Sequence, residues 1–188
     1  HFAAHAEKSC CNAEKTFRAK TGLAVRANLV YNDYNPLPGL SKGVDTPMIQ
    51  VILGDKGSGK TKRLIDLTNE ALKQEHGNII FIDDDKRYMY DLRHEIRFVD
   101  ASEYPAAYKR AAHEFLAFLS GMLSADFDLS LVAIDAFKKI VKTNLDAEEM
   151  RQFFEQLEKL SAAHQCNFVI SVSSAEGDVP EFIRKYAL

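Results

Sequence analysis

The chain has 188 residues, 46% of them hydrophobic, which is enough for the core of one domain plus an appendage. Its formal charge of −3 divides unevenly, with six Lys/Arg and four Asp/Glu in 1–47 against 18 and 23 in 48–188. An acidic domain argues against general nucleic-acid binding, which needs a basic face to displace counterions, and leaves only a local basic patch for such a role; no apolar run approaches the roughly 18 residues of a membrane span.

Residues 1–47 show weak periodicity, a vicinal Cys10-Cys11 pair and a turn-rich stretch over 32–39. With histidine at position 1 and Met48 at the head of the first apolar run, 1–47 reads as a poorly ordered extension and 48–188 as the folded domain. Cys10, Cys11 and Cys166 have no metal-ligand spacing and no even disulfide framework, the pattern of reduced thiols in a cytoplasmic protein.

From Met48 onward short apolar runs alternate with longer amphipathic ones, which predicts an α/β domain. Residues 48–53 are apolar except at Gln50 and suit a central parallel strand. The spacing of Leu64, Leu67, Ala71 and Leu72 predicts a helix from Lys60 to about His76, stopped by Gly77. A second strand over 79–82 runs into Asp83-Asp84-Asp85. A short third strand is expected over 95–100, its direction open because the link before it is near the minimum for a crossover. Ser102 or Glu103 with Pro105 opens a long helix with Tyr108, Ala111, Ala112, Phe115, Leu119 and Met122 as its stripe, closing near Gly121–Ser124. A strand over 129–134 ends at Asp135. The stretch from Asp146 to Glu149 has the form of a capping box, before a helix that buries Met150, Phe153, Phe154, Leu157 and Leu160. A last strand over 167–174 and a short helix over 180–187 complete the domain.

Between the first strand and the first helix stands Gly54-Asp55-Lys56-Gly57-Ser58-Gly59-Lys60-Thr61, the G-x-x-x-x-G-K-T pattern in the strand-to-helix context it requires. Glycines let the backbone curl with its N–H groups inward, and the helix adds the positive end of its dipole, so a polyphosphate is held by amides and field together. Lys60 is expected to reach the β- and γ-phosphates and the Thr61 hydroxyl to hold a Mg²⁺ ion. Such a site needs a second anionic anchor at the tip of a strand beside the first, and Leu131-Val-Ala-Ile-Asp135 supplies one: four apolar residues, then a carboxylate at the sheet's carboxyl edge. Asp135 is assigned to the metal, opposite Thr61.

The residue after Asp135 is Ala136, where many ATPases of this kind carry a glutamate that orients water. Asp83, Asp84 and Asp85, or Glu148 and Glu149, are the acids available instead. Crowding at Asp83–Asp85 raises at least one pKa, as general-base work requires, and Asp84 is the residue chosen. Among Ser171, Ser173 and Ser174, Ser173 is taken as the polar sensor of the terminal phosphate. Lys86, Arg87, Arg93 and Arg97 have no spacing that separates them from surface charge, and the histidines form no metal motif.

On Gly54–Thr61, Asp135 and the strand over 167–174, the domain resembles P-loop ATPases of the broad RecA-like class, most of all short bacterial proteins labelled PilT-type twitching-motility ATPases. The resemblance implies a three-layer α/β/α fold around a mostly parallel sheet of about five strands. It also implies ATP as the nucleotide, Mg²⁺ as the metal, and slow hydrolysis that depends on a protein partner or on self-assembly. The region over 79–100 is similar to the thymidine-kinase arrangement, which implies instead a small-molecule or nucleotide kinase using Asp83–Asp85 at its acceptor. A third reading is a nucleotide-gated interaction module without catalysis, which Ala136 favours over a fast ATPase.

Overall fold

The computed structural model describes residues 49–73, 77–144, 146–174 and 179–188. The extension expected over 1–47 lies outside them, as does the expected helix end at His76. Five strands form one sheet: β1 (Ile49–Gly54), β2 (Asn78–Asp83), β3 (Arg97–Asp100), β4 (Leu129–Ile134) and β5 (Asn167–Ser173). The sheet order is β1-β5-β4-β2-β3 and every pairing is parallel. The interiors of β1, β2, β4 and β5 are largely apolar on both faces because a parallel sheet is covered on both sides, whereas the edge strand β3 keeps only Phe98 and Val99.

Side-chain alternation assigns the faces. Ile52, Ile79, Phe81, Leu131, Ala133 and Val169 pack with Leu64, Ile65 and Ala71 of α1 (Lys60–Ala71) on one side. Ile80, Ile82, Val132, Ile134, Phe168, Ile170 and Val172 pack on the other, against α2 (Ala112–Ala125), the short α3 (Phe137–Ile140), α4 (Glu148–His164) and α5 (Glu181–Arg184). The result is the three-layer α/β/α arrangement, with all of its strands parallel. No helix among the described residues is long and apolar enough to cross a membrane.

Four rings lock the second layer. Phe115, Phe137, Phe153 and Phe154 are buried, with centroids 5.5 Å apart for Phe137–Phe153 and Phe153–Phe154 and 6.1 Å for Phe115–Phe137. Edge and tilted contacts of this kind add about 0.5–1.5 kcal/mol each to simple burial. Phe137 has a further role at the sheet's carboxyl edge, because it anchors in the core the segment two residues beyond Asp135.

Several expected boundaries move, each for a tertiary reason. The helix assigned to Pro105 begins only at Ala112: Ala101–Glu103 form a 3₁₀ turn capped by Asp100, and Lys109 turns to φ 55. The Lys109 N–H donates to the Ile140 carbonyl (2.7 Å) and the Lys142 N–H to the Arg110 carbonyl (2.9 Å), so bonds to a distant segment take backbone groups that a helix would have used. Leu123 replaces Met122 as the last buried position of α2. The Asp146 capping box does not form; α4 is N-capped by Ala147, and the Glu149 carboxylate turns to His113 and Thr143. Leu160 is only half-buried. The closing helix is confined to Glu181–Arg184, after which the Leu188 N–H donates to Val51 O at 3.0 Å and covers part of the β1 edge.

Gly77 has a role that helix punctuation does not describe. A Cβ there would stand 2.2 Å from the Asp128 carbonyl oxygen and 2.8 Å from Ser130 Cβ, where β2 and β4 begin side by side. Gly77→Ala is expected to destabilise the domain by about 1–3 kcal/mol, the usual cost of overpacking. Urea unfolding checks this, and an unchanged midpoint would contradict it.

Candidate functional site

The loop between β1 and α1 is built on its glycines. Gly57 and Gly59 sit at φ 87 and φ 84, where a Cβ is strained. A Cβ on Gly54 would lie 2.6 Å from Ser58 Oγ, so a side chain there would displace the Ser58 hydroxyl where the loop returns over its own start. Asp55, Lys56, Gly57, Ser58 and Gly59 are exposed, and the Ser58 N–H donates to Asp55 O at 3.1 Å. Gly59 caps α1, and the first turn of the helix carries no acidic residue of its own to offset the positive end of the dipole. Lys60 lies across this loop, 8% exposed, with Nζ donating to Asp55 O at 2.6 Å and to Ser58 Oγ at 3.4 Å.

Thr61 and Asp135 meet although 74 positions separate them: the Thr61 hydroxyl donates to Asp135 Oδ2 at 2.6 Å. They do so across an intervening strand. The sequence pattern places the Asp135 strand directly beside β1, whereas β5 is inserted between β1 and β4. The register explains the contact. Ile82, Ile134 and Ile170 are aligned on the α4 side, so the next residues, Asp83, Asp135 and Ser171, share the α1 side at the carboxyl edge. The Ser171 hydroxyl donates to Asp135 Oδ1 and accepts from the Ala136 N–H at 3.2 Å. Ala136 itself is left-handed, at φ 50 and ψ 32. That conformation costs a residue with a Cβ about 1–2 kcal/mol. Phe137 in the core and the Ser171 bond hold it there.

The three aspartates after β2 separate into different environments. Asp83 is 2% exposed and its pKa is pushed up to about 8, first by burial and then by the neighbouring Asp135 charge, against the opposing bond from the Asp84 N–H (2.7 Å). Asp84, the residue chosen on sequence, is bound by Lys139, whose Nζ lies 2.9 Å from each of its oxygens and whose own pKa rises through that bond. Asp85 is paired with Arg87 (Nε–Oδ2 2.8 Å), which lowers its pKa. Ser173, the expected phosphate sensor, is exposed at the last rung of β5, in register with Gly54. Residue spacing does not separate Asp83 from its two neighbours, nor Ser171 from Ser173. Strand parity, counted from Phe81 and Val169, places Asp83 and Ser171 on the α1 face and sets Asp83 apart from Asp84, but it does not distinguish Ser171 from Ser173, two residues further along the same strand.

The donor set suits a small hard cation. A hydroxyl and a carboxylate offer oxygen ligands only, and Mg²⁺ is commonly held by one or two protein oxygens, with water and phosphate completing its shell. Among the described residues no group of three or more His, Cys, Asp or Glu side chains is arranged to hold a metal.

Comparison with known protein families finds no match, and comparison with curated proteins finds none. Among solved structures, the chain is similar to the flagellar accessory protein FlaH from Methanocaldococcus jannaschii, at 12% identity and a TM-score of 0.43, over 73% of this chain. The chain spans 65% of the length of that protein. The functional reading therefore rests on this chain's own residues.

Proposed function

We propose that residues 48–188 form a cytoplasmic P-loop domain of the RecA-like ATPase class that binds ATP with Mg²⁺ and hydrolyses it slowly, faster with a protein partner or on self-assembly. The observation that supports this most is the Thr61–Asp135 bond, which joins the foot of the glycine loop to the carboxyl edge of β4. In this reading the loop amides, the α1 dipole and Lys60 hold the phosphates, while Thr61 and Asp135 hold the metal. When bound, Mg²⁺ would neutralise charge on the β- and γ-phosphate oxygens. Asp83 stands in for the glutamate that Ala136 replaces: it is buried, lies beside Asp135 on the same face, and orients the attacking water. Asp84 is less suited to an acceptor or a water, being occupied by Lys139, and this counts against the kinase reading.

The test is calorimetric titration of the full chain with ATP, in Mg²⁺ and in chelator, beside ADP production. Asp135→Asn is expected to lower the Mg²⁺-dependent affinity about 10- to 100-fold, as loss of a metal-orienting group does, with little change in chelator. Equal losses under both conditions would remove Asp135 from the metal.

A further inference from the structure

We propose that Ser171 is a positioning residue: its hydroxyl sets the orientation in which Asp135 faces Thr61 and so tunes the metal affinity of the site. The inference rests on the reading of that site as one for a metal–nucleotide complex.

The reason lies in the strand order. Because β5 is inserted between β1 and β4, the Asp135 carboxylate has to reach over β5 to meet Thr61. The side chain that β5 presents beneath that reach is residue 171, paired with Ile52 on one side and one step beyond the Ile170–Ile134 pair on the other. A large apolar residue there would fill the space the carboxylate crosses. A serine leaves it open and adds a fixed partner. Ser171 is 3% exposed and its hydroxyl is used in both senses, donating to Asp135 Oδ1 and accepting from Ala136 N–H. Asp135 Oδ1 is thus tied to β5, which leaves Oδ2 as the oxygen turned toward Thr61 at 2.6 Å.

The second half of the bond matters equally. Ala136 is held left-handed without being glycine, and its N–H is bound by Ser171. The chain must turn sharply there for Phe137 to enter the core while Asp135 stays at the sheet edge. One hydroxyl therefore orients the carboxylate and pins the backbone turn that presents it. Outer groups of this kind, which touch a metal ligand but not the metal, commonly change metal affinity 10- to 100-fold when removed.

The experiment uses the full chain with Mn²⁺ as the probe metal and ADP as the nucleotide. Mn²⁺ binding in the presence of ADP is followed by electron paramagnetic resonance, and ADP binding in chelator by calorimetry. Ser171→Ala is expected to weaken Mn²⁺ about 10- to 100-fold while leaving the chelator value unchanged. Ser171→Cys, of similar size with a weak S–H donor, is expected to fall between serine and alanine. Unchanged Mn²⁺ affinity in Ser171→Ala would overturn the proposal. So would an equal loss of ADP affinity in chelator, which marks a merely structural role, or a cysteine variant at least as impaired as alanine. If the unsubstituted chain binds ADP but Mn²⁺ adds nothing, the metal-site reading fails and this inference with it; if it binds neither, the nucleotide reading fails first.

Discussion

Lys60→Ala is expected to cost the largest share of nucleotide affinity of any single change in the loop. Lys60 is 8% exposed, and its ammonium lies within the curl of the loop, bonded to the Asp55 carbonyl at 2.6 Å. It is therefore already desolvated and poised at the place where a polyphosphate meets the amides. Removing one partner of a buried charge pair costs about 2–5 kcal/mol, or between roughly 30-fold and a few thousand-fold in affinity. Most of that loss should survive in high salt, because a buried pair is screened far less than an exposed one. Titration of Lys60→Ala with Mg-ATP, beside ADP production, checks the expectation. The variant should remain folded, since Lys60 makes no ion pair with a carboxylate in the described structure. Unchanged affinity in a folded variant would remove the phosphate-loop assignment itself.

Asp83→Asn is expected to abolish most turnover and, in metal-free buffer, to stabilise the fold. Loss of a positioned acid–base group typically lowers the rate about 10²- to 10⁴-fold. The stability effect comes from the raised pKa, about 8 against 3.8 for a free aspartate. Between these values the unfolded chain is ionised at this residue and the native chain is not. The native state binds the extra proton, so stability falls as pH rises from about 4 to about 8, and the contribution is flat above that. Asparagine does not ionise, and its carbonyl can still accept the Asp84 N–H bond made at 2.7 Å. The variant should melt higher than the unsubstituted chain at pH 8, by the equivalent of a few kcal/mol at most, with the difference shrinking toward pH 4. A lower midpoint at pH 8 would show that the buried carboxyl is not under this strain. Stability gained where function is lost is the usual mark of a working polar group held in a core.

Asp83 and Ser171 also mark the limit of what could be read before folding. Strand parity assigns both to the α1 face, but it does not separate Asp83 from Asp85 or Ser171 from Ser173. The difference among Asp83, Asp84 and Asp85 is one of environment: burial beside Asp135, an ion pair with Lys139, and an ion pair with Arg87. Arg87 is a local partner, two positions from Asp85, but no composition or spacing encodes the other two, because Lys139 is 55 positions from Asp84 and Asp135 lies on another strand. The start of α2 departs from its local signal for a related reason. Pro105 is a sound local signal for a helix, but Lys109–Arg110 bonds to 140–142 and that pairing prevails.

Features legible in the bare chain are local or periodic. The loop from Gly54 to Thr61 depends on backbone conformations that only its glycines reach readily, and on a strand and a helix immediately flanking it. Four of the five strands announce themselves as short apolar runs, while β3 is two apolar residues between charges, and Asp135 stands as the first charge after one of the runs. The tertiary structure alone decided the order β1-β5-β4-β2-β3, the parallel direction of β3 and the row Asp83–Asp135–Ser171. The physical reason is that period-two alternation fixes which face a side chain takes but carries no information about which strand lies next to it. Neighbour choice is made by packing and hydrogen bonding between distant segments, and it is the insertion of β5 that puts a serine hydroxyl beneath the carboxylate.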